Sequence, residues 1–409
     1  MELIRWTEQD IRKLLSCKDD DELLEAFPGH KIESLTRRRR KLLADGWGTT
    51  ELDIDKKATS LKAEMAILKH KNQELLKLSN LNDRILEFNE KTIEALPRVD
   101  IPSPLVFDKT KTTESAVLVL SCLHIGEVIN KQEMGGLNQY NFDIFKKRFQ
   151  YLIEKTISFT ANNMSTYQFT EINVLCTGDM VSGTIHDELE ATNELNIVEQ
   201  ATLGALVVAQ GFQDLARAFP KVIVTCVVGN HGRVKKEKYF KNKQSVNWDF
   251  IFYNNLALML KNQKNIQFNI PLSFWAGVQI EGYNFLVMHG DMIKSWGGIP
   301  FYGLQREASK WTEIMASNKE FFKYFVTSHF HTKAVLQTPT GERIMNASLK
   351  GGDEYAIGLG FFGEPVQLLF GVNKKYGKTW ELSINAKYAD KIVKPRYVAD
   401  RTKNLIDQI

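Results

Sequence analysis

The chain has 409 residues, 43% of them hydrophobic and 25% charged, with a formal net charge of +4. That length accommodates a sizeable core plus an appended module, and the longest apolar runs are far too short to cross a bilayer. Cys17, Cys122, Cys176 and Cys226 show no paired spacing, which argues against a disulfide framework or a zinc knuckle and for reduced thiols. The opening MELIRWTEQD has no basic stretch followed by an apolar one, so a cytoplasmic protein is expected.

Residues 1–50 read as a compact helical unit. Thr7, with acids after it, caps a helix carrying Ile11, Leu14 and Leu15 at helical spacing. A second helix, Glu22 to Ala26, breaks at Phe27-Pro28-Gly29, and a third begins at Lys31 with Ile32, Leu35, Leu42 and Leu43 as its apolar face. The stretch KIESLTRRRRK holds six basic residues against one acidic residue, a local excess larger than that of the whole chain. Three short helices, an early Trp6 and a basic third helix resemble the Myb/SANT-like helix-turn-helix, whose third helix enters the major groove of DNA. The resemblance implies DNA as a partner, contacted by Arg37, Arg38, Arg39 and Arg40; a merely solvated helix face is the alternative reading.

Residues 51–97 are charged and free of glycine and, before Pro97, of proline, which predicts one long helix. A 3,4-spaced track runs Leu61, Met65, Leu68, Asn72, Leu75, Ser79, Asn82, Leu86, Asn89, Ile93, Leu96. It suits a coiled coil and a homodimer through residues 56–96, with Asn72 fixing register. A second stripe, Leu78, Leu81, Ile85 and Phe88, suits instead a helix packed on the following domain. Pro97, Pro102 and Pro104 mark a linker, residues 98–114, and residues 391–409 form a basic C-terminal tail.

Between these lies a domain at 115–390 in which strand-like runs alternate with helical ones: Ala116 to Leu120, Ile172 to Thr177, Val222 to Val228, Asn284 to Met288, Tyr324 to Thr327, Arg343 to Ala347 and Val366 to Val372. This predicts an α/β fold with partly parallel sheets. Five of the eight histidines, His124, His231, His289, His329 and His331, fall at or just after the ends of such runs, as do Asp179 and Asn230. Carboxyl ends of strands collect into one crevice, and imidazoles with one carboxylate and one amide oxygen suit borderline divalent ions such as Mn²⁺, Fe²⁺ or Zn²⁺.

The ordered motifs C-x-H, G-D, G-N-H, H-G and S-H-x-H resemble the D-x-H, G-D, G-N-H, H and G-H-x-H series of the calcineurin-like metallophosphoesterase superfamily, over roughly Ser115 to Leu382. The stretches GLNQYNFDI, TIHDELEATNE, GNHGR and ASLKGGDEYA are similar to a subgroup common in tailed bacteriophages and bacteria. The resemblance implies a β-sandwich flanked by helices and two divalent ions, Mn²⁺ foremost, bridged by Asp179. One would be held by His124, His331 and the residue at 122, the other by Asn230, His289 and His329, while His231 would protonate the leaving oxygen. Two such ions, about 3.5–4 Å apart, hold a phosphoryl group for in-line attack.

Cys122 stands where that family has aspartate. A thiolate favours Zn²⁺ or Fe²⁺ over Mn²⁺ and a neutral buried thiol binds weakly, leaving a natural ligand swap, a weakened site and an introduced substitution all open. Arg233, Lys235, Lys236, Lys238, Lys241 and Lys243 follow the G-N-H motif and could grip a polyanionic backbone, or form a solvated loop. His186 reads equally as substrate-facing or as a helix start. His30 and His70 read as surface residues. Trp296, Phe301, Tyr302 and Trp311, with Gly297 and Gly298, suggest a wall of the cleft, core packing being the simpler role for at least two of them. The expected activity is phosphodiester hydrolysis of DNA. The rivals are a phosphatase or phosphodiesterase acting on nucleotides or phosphoproteins, and a DNA-binding protein weakened catalytically at Cys122.

Overall fold

The computed structural model describes residues 6–45, 47, 51–102, 108–237, 243–295, 300–358, 360, 362–392 and 394–400. The chain divides into two compact units, Met1–Lys77 and Leu78–Ile409.

The first unit holds α1 (Glu8–Ser16), α2 (Asp20–Ala26), α3 (Ile32–Ala44) and the start of α4 (Glu51–Thr92). Thr7 and Asp10 form a reciprocal capping box at the head of α1, and Asp19 caps α2. Leu14, Cys17, Leu23 and Leu35 make a small buried core, with Trp6, Phe27, Ile32 and Leu42 packed against it. Leu43, expected on the apolar face, is instead 52% exposed, because eight residues from Leu35 it lies about 80° round the helix from that residue, whereas Leu42 stays nearly in line with it. His30, expected at the surface, packs edge-on to Trp6 at 5.8 Å.

The long helix has two different fates along its length. Leu61, Met65 and Leu68 are more than half exposed. From Asn82 on, the same track is buried in the second unit: Asn82 Nδ2 donates to Ser245 O at 2.7 Å, Asn89 Nδ2 to Asn255 Oδ1 at 2.7 Å, and Ile93 and Leu96 join the main core. The reading of a helix packed on the following domain therefore describes the part of α4 from Asn82 on. Among the described residues no helix is long and apolar enough to cross a membrane.

The second unit is a sandwich of two mixed sheets. One sheet contains β1 (Thr112–Leu120), β2 (Tyr167–Cys176), β3 (Val222–Cys226), β4 (Ile266–Asn269), β10 (Val366–Asn373) and β11 (Gly377–Asn385), in the order β11-β10-β1-β2-β3-β4. The other contains β5 (Trp275–Ile280), β6 (Tyr283–Met288), β7 (Tyr324–Thr327), β8 (Ala334–Thr338) and β9 (Gly341–Met345), in the order β5-β6-β7-β9-β8. β1, β2, β3 and β4 run parallel, as do β6, β7 and β9. Strand alternation distributes β1 between two cores. Val117 and Val119 face the second sheet with Phe285, Val287 and Phe370, while Ala116, Leu118 and Leu120 face the helix layer. That layer contains α5 (Phe142–Ser158), α7 (Ile197–Ala218) and α8 (Trp248–Met259). A shorter helix, α6 (Asp187–Thr192), precedes α7; α9 (Phe301–Ser317) packs on the outer side of the second sheet, and α10 (Glu354–Gly358) follows β9.

Candidate metal centre

Because β1, β2 and β3 are parallel neighbours and β6 and β7 are parallel in the facing sheet, the segments leaving their carboxyl ends meet at one rim. Cys122 and His124 follow β1, Asp179 follows β2, Asn230 and His231 follow β3, His289 follows β6, and His329 and His331 follow β7. The fold thus brings all eight together. Donor atoms of Cys122, His124 and His331 lie within 4.8 Å of one another, as do those of Cys122, Asp179 and His289, and of His124, Asp179 and His231.

The backbone is bent to aim these side chains. Cys122, His124, Asp179, His329 and His331 all adopt left-handed φ of 50°, 45°, 56°, 72° and 53°. Non-glycine residues avoid that region, and its occupants concentrate at functional sites. Gly178 (φ 90°) and Gly229 let two turns cross almost in contact, since a Cβ on Gly178 would fall on the Gly229 backbone and one on Gly229 on Asp179.

The hydrogen bonding of the imidazoles decides what the cluster can hold. His289 Nδ1 lies 2.7 Å from the Thr177 carbonyl, which can only accept, so Nδ1 carries a hydrogen. Its Nε2 then faces Asp179 Oδ2 at 2.9 Å, Asn230 Oδ1 at 3.0 Å and His329 Nδ1 at 3.3 Å. In the neutral ring the Nε2 lone pair would face a carboxylate oxygen and an amide oxygen, an arrangement that positive charge between them relieves. Burial disfavours the imidazolium of His289, but the Asp179 carboxylate more than offsets this and raises its pKa. Burial would likewise raise Asp179, yet His289 holds it well below the ordinary carboxylate range. At the other end His124 Nε2 faces His331 Nε2 at 3.1 Å. Burial and then Lys350 push His124 down to about 4, and burial with His124 pushes His331 down, so both rings stay neutral and offer lone pairs. His329 falls to about 3 through burial and the neighbouring His289. Neutral imidazoles, a carboxylate and an amide oxygen are what a divalent cation requires.

Three buried charged groups that the strand-end pattern did not single out support this cluster. Asp249, at the start of α8, accepts four backbone N–H bonds: Oδ2 from Asp179 (2.9 Å) and Gly229 (2.8 Å), Oδ1 from Met180 (3.0 Å) and Val181 (3.3 Å). It ties the β2 turn to the β3 turn. Burial and the Asp179 charge push its carboxyl up to about 6. Glu127 lies 3.2 Å from His124 Nδ1 and favours hydrogen there, which turns the Nε2 lone pair toward His331. Lys350, 2% exposed, pairs with Glu127 and, at 2.6 Å, with Asp353. One sequence signal existed for Asp249, a lone acid inside the apolar run Trp248-Asp249-Phe250-Ile251-Phe252-Tyr253.

The motifs that suggested a subgroup build this wall. Asn138 donates to Lys350 O and Gly352 O at 2.9 and 2.7 Å, and Arg148 to Lys350 O at 2.5 Å, clamping the segment that carries Lys350. Asn193 and Gln200 hold Gly183 on both sides, O and N. Ser182 O beside it receives His231 Nδ1 at 2.9 Å, while His231 N donates to Asp179 Oδ1 at 2.8 Å. His231 therefore stands against His124 (ring centroids 4.4 Å) with Nδ1 committed and Nε2 available to the cleft. His186 immediately precedes α6, as its helix-start reading expects, and its ring stands 5.3 Å from that of His231.

Other expected contacts fare unevenly. Arg233 is half-buried and bonded through Nε to Asn230 O at 3.0 Å. Lys236 is neutralised by Asp187 at 2.5 Å, and Lys243, expected in the polyanion grip, is buried and paired with Asp291 at 2.8 Å. Lys238, Lys241, Trp296, Gly297 and Gly298 lie outside the described residues. Trp311 is core, whereas Tyr302 is exposed.

A sandwich of two mixed sheets with histidines, an aspartate and an asparagine gathered at one rim defines a metal-dependent phosphoesterase fold. A family model described as calcineurin-like phosphoesterase matches residues 115–356, more than half of the chain, and the chain belongs to that family. Among solved structures it is similar to an archaeal phosphodiesterase (13% identity, 66% of this chain and 99% of that one, TM-score 0.32). It is also similar to Vps29 of Entamoeba histolytica complexed with Zn²⁺ (13%, 66% and 99%, TM-score 0.27) and to a predicted phosphoesterase of Streptococcus pneumoniae (9%, 66% and 98%, TM-score 0.27). No curated protein matches the chain.

Proposed function

We propose that this chain hydrolyses phosphodiester bonds in DNA, using two divalent cations in the second unit and the helical first unit to choose its substrate. The observation that carries the reading is the presence in one chain of a phosphoesterase centre and of a helix, α3, ringed with arginine. Arg37, Arg38 and Arg40 are exposed, and among the described residues none of Arg37–Arg40 is paired with an acid. Arg38 lies 4.5 Å over the Trp6 ring.

Asp179 would bridge the cations. His124, His331 and Cys122 would hold one, and Asn230, His289 and His329 the other, with Mn²⁺, Zn²⁺ or Fe²⁺ as the ions these donors suit. When bound, such a pair supplies Lewis acidity toward the phosphoryl oxygens and lowers the pKa of water. The protein's own contribution is positional. Asp249 fixes the two turns, Glu127 orients His124, and His231 holds Nε2 toward the cleft, where it can hand a proton to the leaving oxygen. Arg233 and Lys235 would line the approach of the backbone phosphates, with Lys236 joining them on release from Asp187. The exposed Leu61, Met65 and Leu68 supply the apolar positions for pairing with a second copy, which sedimentation of the purified chain reads directly.

The test is cleavage of single- and double-stranded DNA by the purified chain with Mn²⁺ or Zn²⁺, compared with His231→Gln and with an Arg37–Arg40 quadruple alanine variant. Metal-dependent cleavage lost in the first variant and weakened in the second at moderate salt is expected. Hydrolysis of a small phosphodiester without action on any nucleic acid would reject the DNA substrate and keep the phosphoesterase.

A further inference from the structure

The sulfur of Cys122 sits where the two halves of the centre meet: its Sγ is within 4.8 Å of donor atoms of His124 and His331 on one side and of Asp179 and His289 on the other. We infer that Cys122 is a metal ligand in its own right, and that the centre is chemically asymmetric. In this reading the half formed by Cys122, His124, His331 and Asp179 takes a thiophilic ion of the zinc class. The half formed by Asn230, His289, His329 and Asp179 is built from nitrogen and oxygen alone.

Three structural observations favour ligation over decay of the site. The Cys122 backbone is held in the left-handed region with φ 50°, as it is at His124 and His331, so the sulfur is aimed by the same local strain as its neighbours. Both ends of the residue are locked: Cys122 N donates to Gly178 O at 3.0 Å, and its carbonyl accepts from Ser348 Oγ at 2.9 Å and Leu349 N at 3.2 Å. The groups behind the adjacent imidazole are in place: Glu127 lies 3.2 Å from His124 Nδ1, and the buried Lys350 pairs with Glu127 and with Asp353.

The chemistry follows from the donor set. A buried thiol beside the Asp179 carboxylate ligates a cation by giving up its hydrogen. On binding, the S–H proton leaves to solvent and the thiolate restores the single negative charge that a carboxylate would have given. One sulfur, two imidazole nitrogens and one carboxylate oxygen would be a mixed donor set that zinc accepts, whereas thiolate is a poor ligand for Mn²⁺ or Mg²⁺. The inference rests on the cation-binding reading of the cluster and is independent of the DNA substrate.

The test is to strip the full chain of metal, titrate it with Co²⁺ and record both stoichiometry and the near-ultraviolet charge-transfer band that a cobalt–thiolate bond produces. The expected result is a band corresponding to one thiolate per chain, unchanged in Cys17→Ser. Cys122→Asp should abolish it while still binding two cobalt ions, and should shift the Zn²⁺-over-Mn²⁺ preference toward Mn²⁺ by roughly 10-fold or more. Because Cys122→Asp keeps a ligand of equal charge, it also serves if Cys122→Ser fails to fold. Two cobalt ions bound by the native chain with no such band, or a band that survives Cys122→Asp, would overturn the assignment of Cys122 and leave the two-cation centre standing. Failure of the native chain to bind cobalt at all would overturn both.

Discussion

Replacing Asp249 by asparagine is the sharpest test of how the centre is held. Its two oxygens accept four backbone N–H groups, two each, from the turns that carry Asp179 and Gly229. Asparagine keeps the shape but only one acceptor oxygen, so in either orientation two buried N–H groups face an amide NH₂ instead of an oxygen. At about 1–3 kcal/mol for each buried donor left unsatisfied, the loss is about 2–6 kcal/mol. The loss is not confined to stability. If the amide faces Asp179 N and Gly229 N, the bond between the two turns is broken and the Asp179 and Asn230 side chains lose their common support. The expected outcome is an unfolding free energy, measured by urea titration of metal-free protein, lowered by that amount, and weakened binding of at least one cation. Asp187→Asn, an exposed change, should stay within about 0.5 kcal/mol. An Asp249→Asn variant as stable as the parent, with full cation stoichiometry, would refute the reasoning.

Lys350→Met leaves the buried Glu127 and the half-buried Asp353 without their counter-ion and should cost about 3–5 kcal/mol, part of which Glu127→Gln in the same chain should restore; denaturant unfolding of the single and double variants measures this. Gly178→Ala combines a φ of 90° with a Cβ that has no room beside Gly229, so loss of soluble yield or of cation binding is expected, read by expression and metal analysis. Leu14→Ala empties a core with four buried members among the described residues. At about 2–5 kcal/mol it should unfold the first unit, abolishing DNA binding in a mobility assay while hydrolysis of a small phosphodiester persists. In a salt titration of DNA affinity, each of Arg37–Arg40 that contacts a phosphate should reduce the log–log slope by about 0.9 when replaced by alanine; an unchanged slope for all four would remove α3 from the interface.

Much of this architecture was legible locally. The seven runs read as strands are all strands, and the four that escaped, β4, β5, β8 and β11, are the four sheet edges. Edge strands lack two buried faces, so they lack the continuous apolar signal that marked β1 or β2. The donor residues were legible for a related reason. A histidine, aspartate or asparagine directly after a parallel strand has little freedom about where it points, and a parallel sheet delivers all such positions to one rim.

Tertiary structure decided what surrounds those donors. Asp249 is 70 residues from Asp179, and Glu127 is 223 from Lys350; their pairing is fixed by helix and sheet packing that no local pattern encodes. The same packing selected part of the track along α4, because the sandwich offers a matching face that buries Asn82, Asn89 and Ile93. It also drew Lys243 out of the basic loop and into a buried pair with Asp291. Residue type and strand ends determined the chemistry available to this protein, and the long-range pairing of buried charges determined which of those groups are held in place to use it.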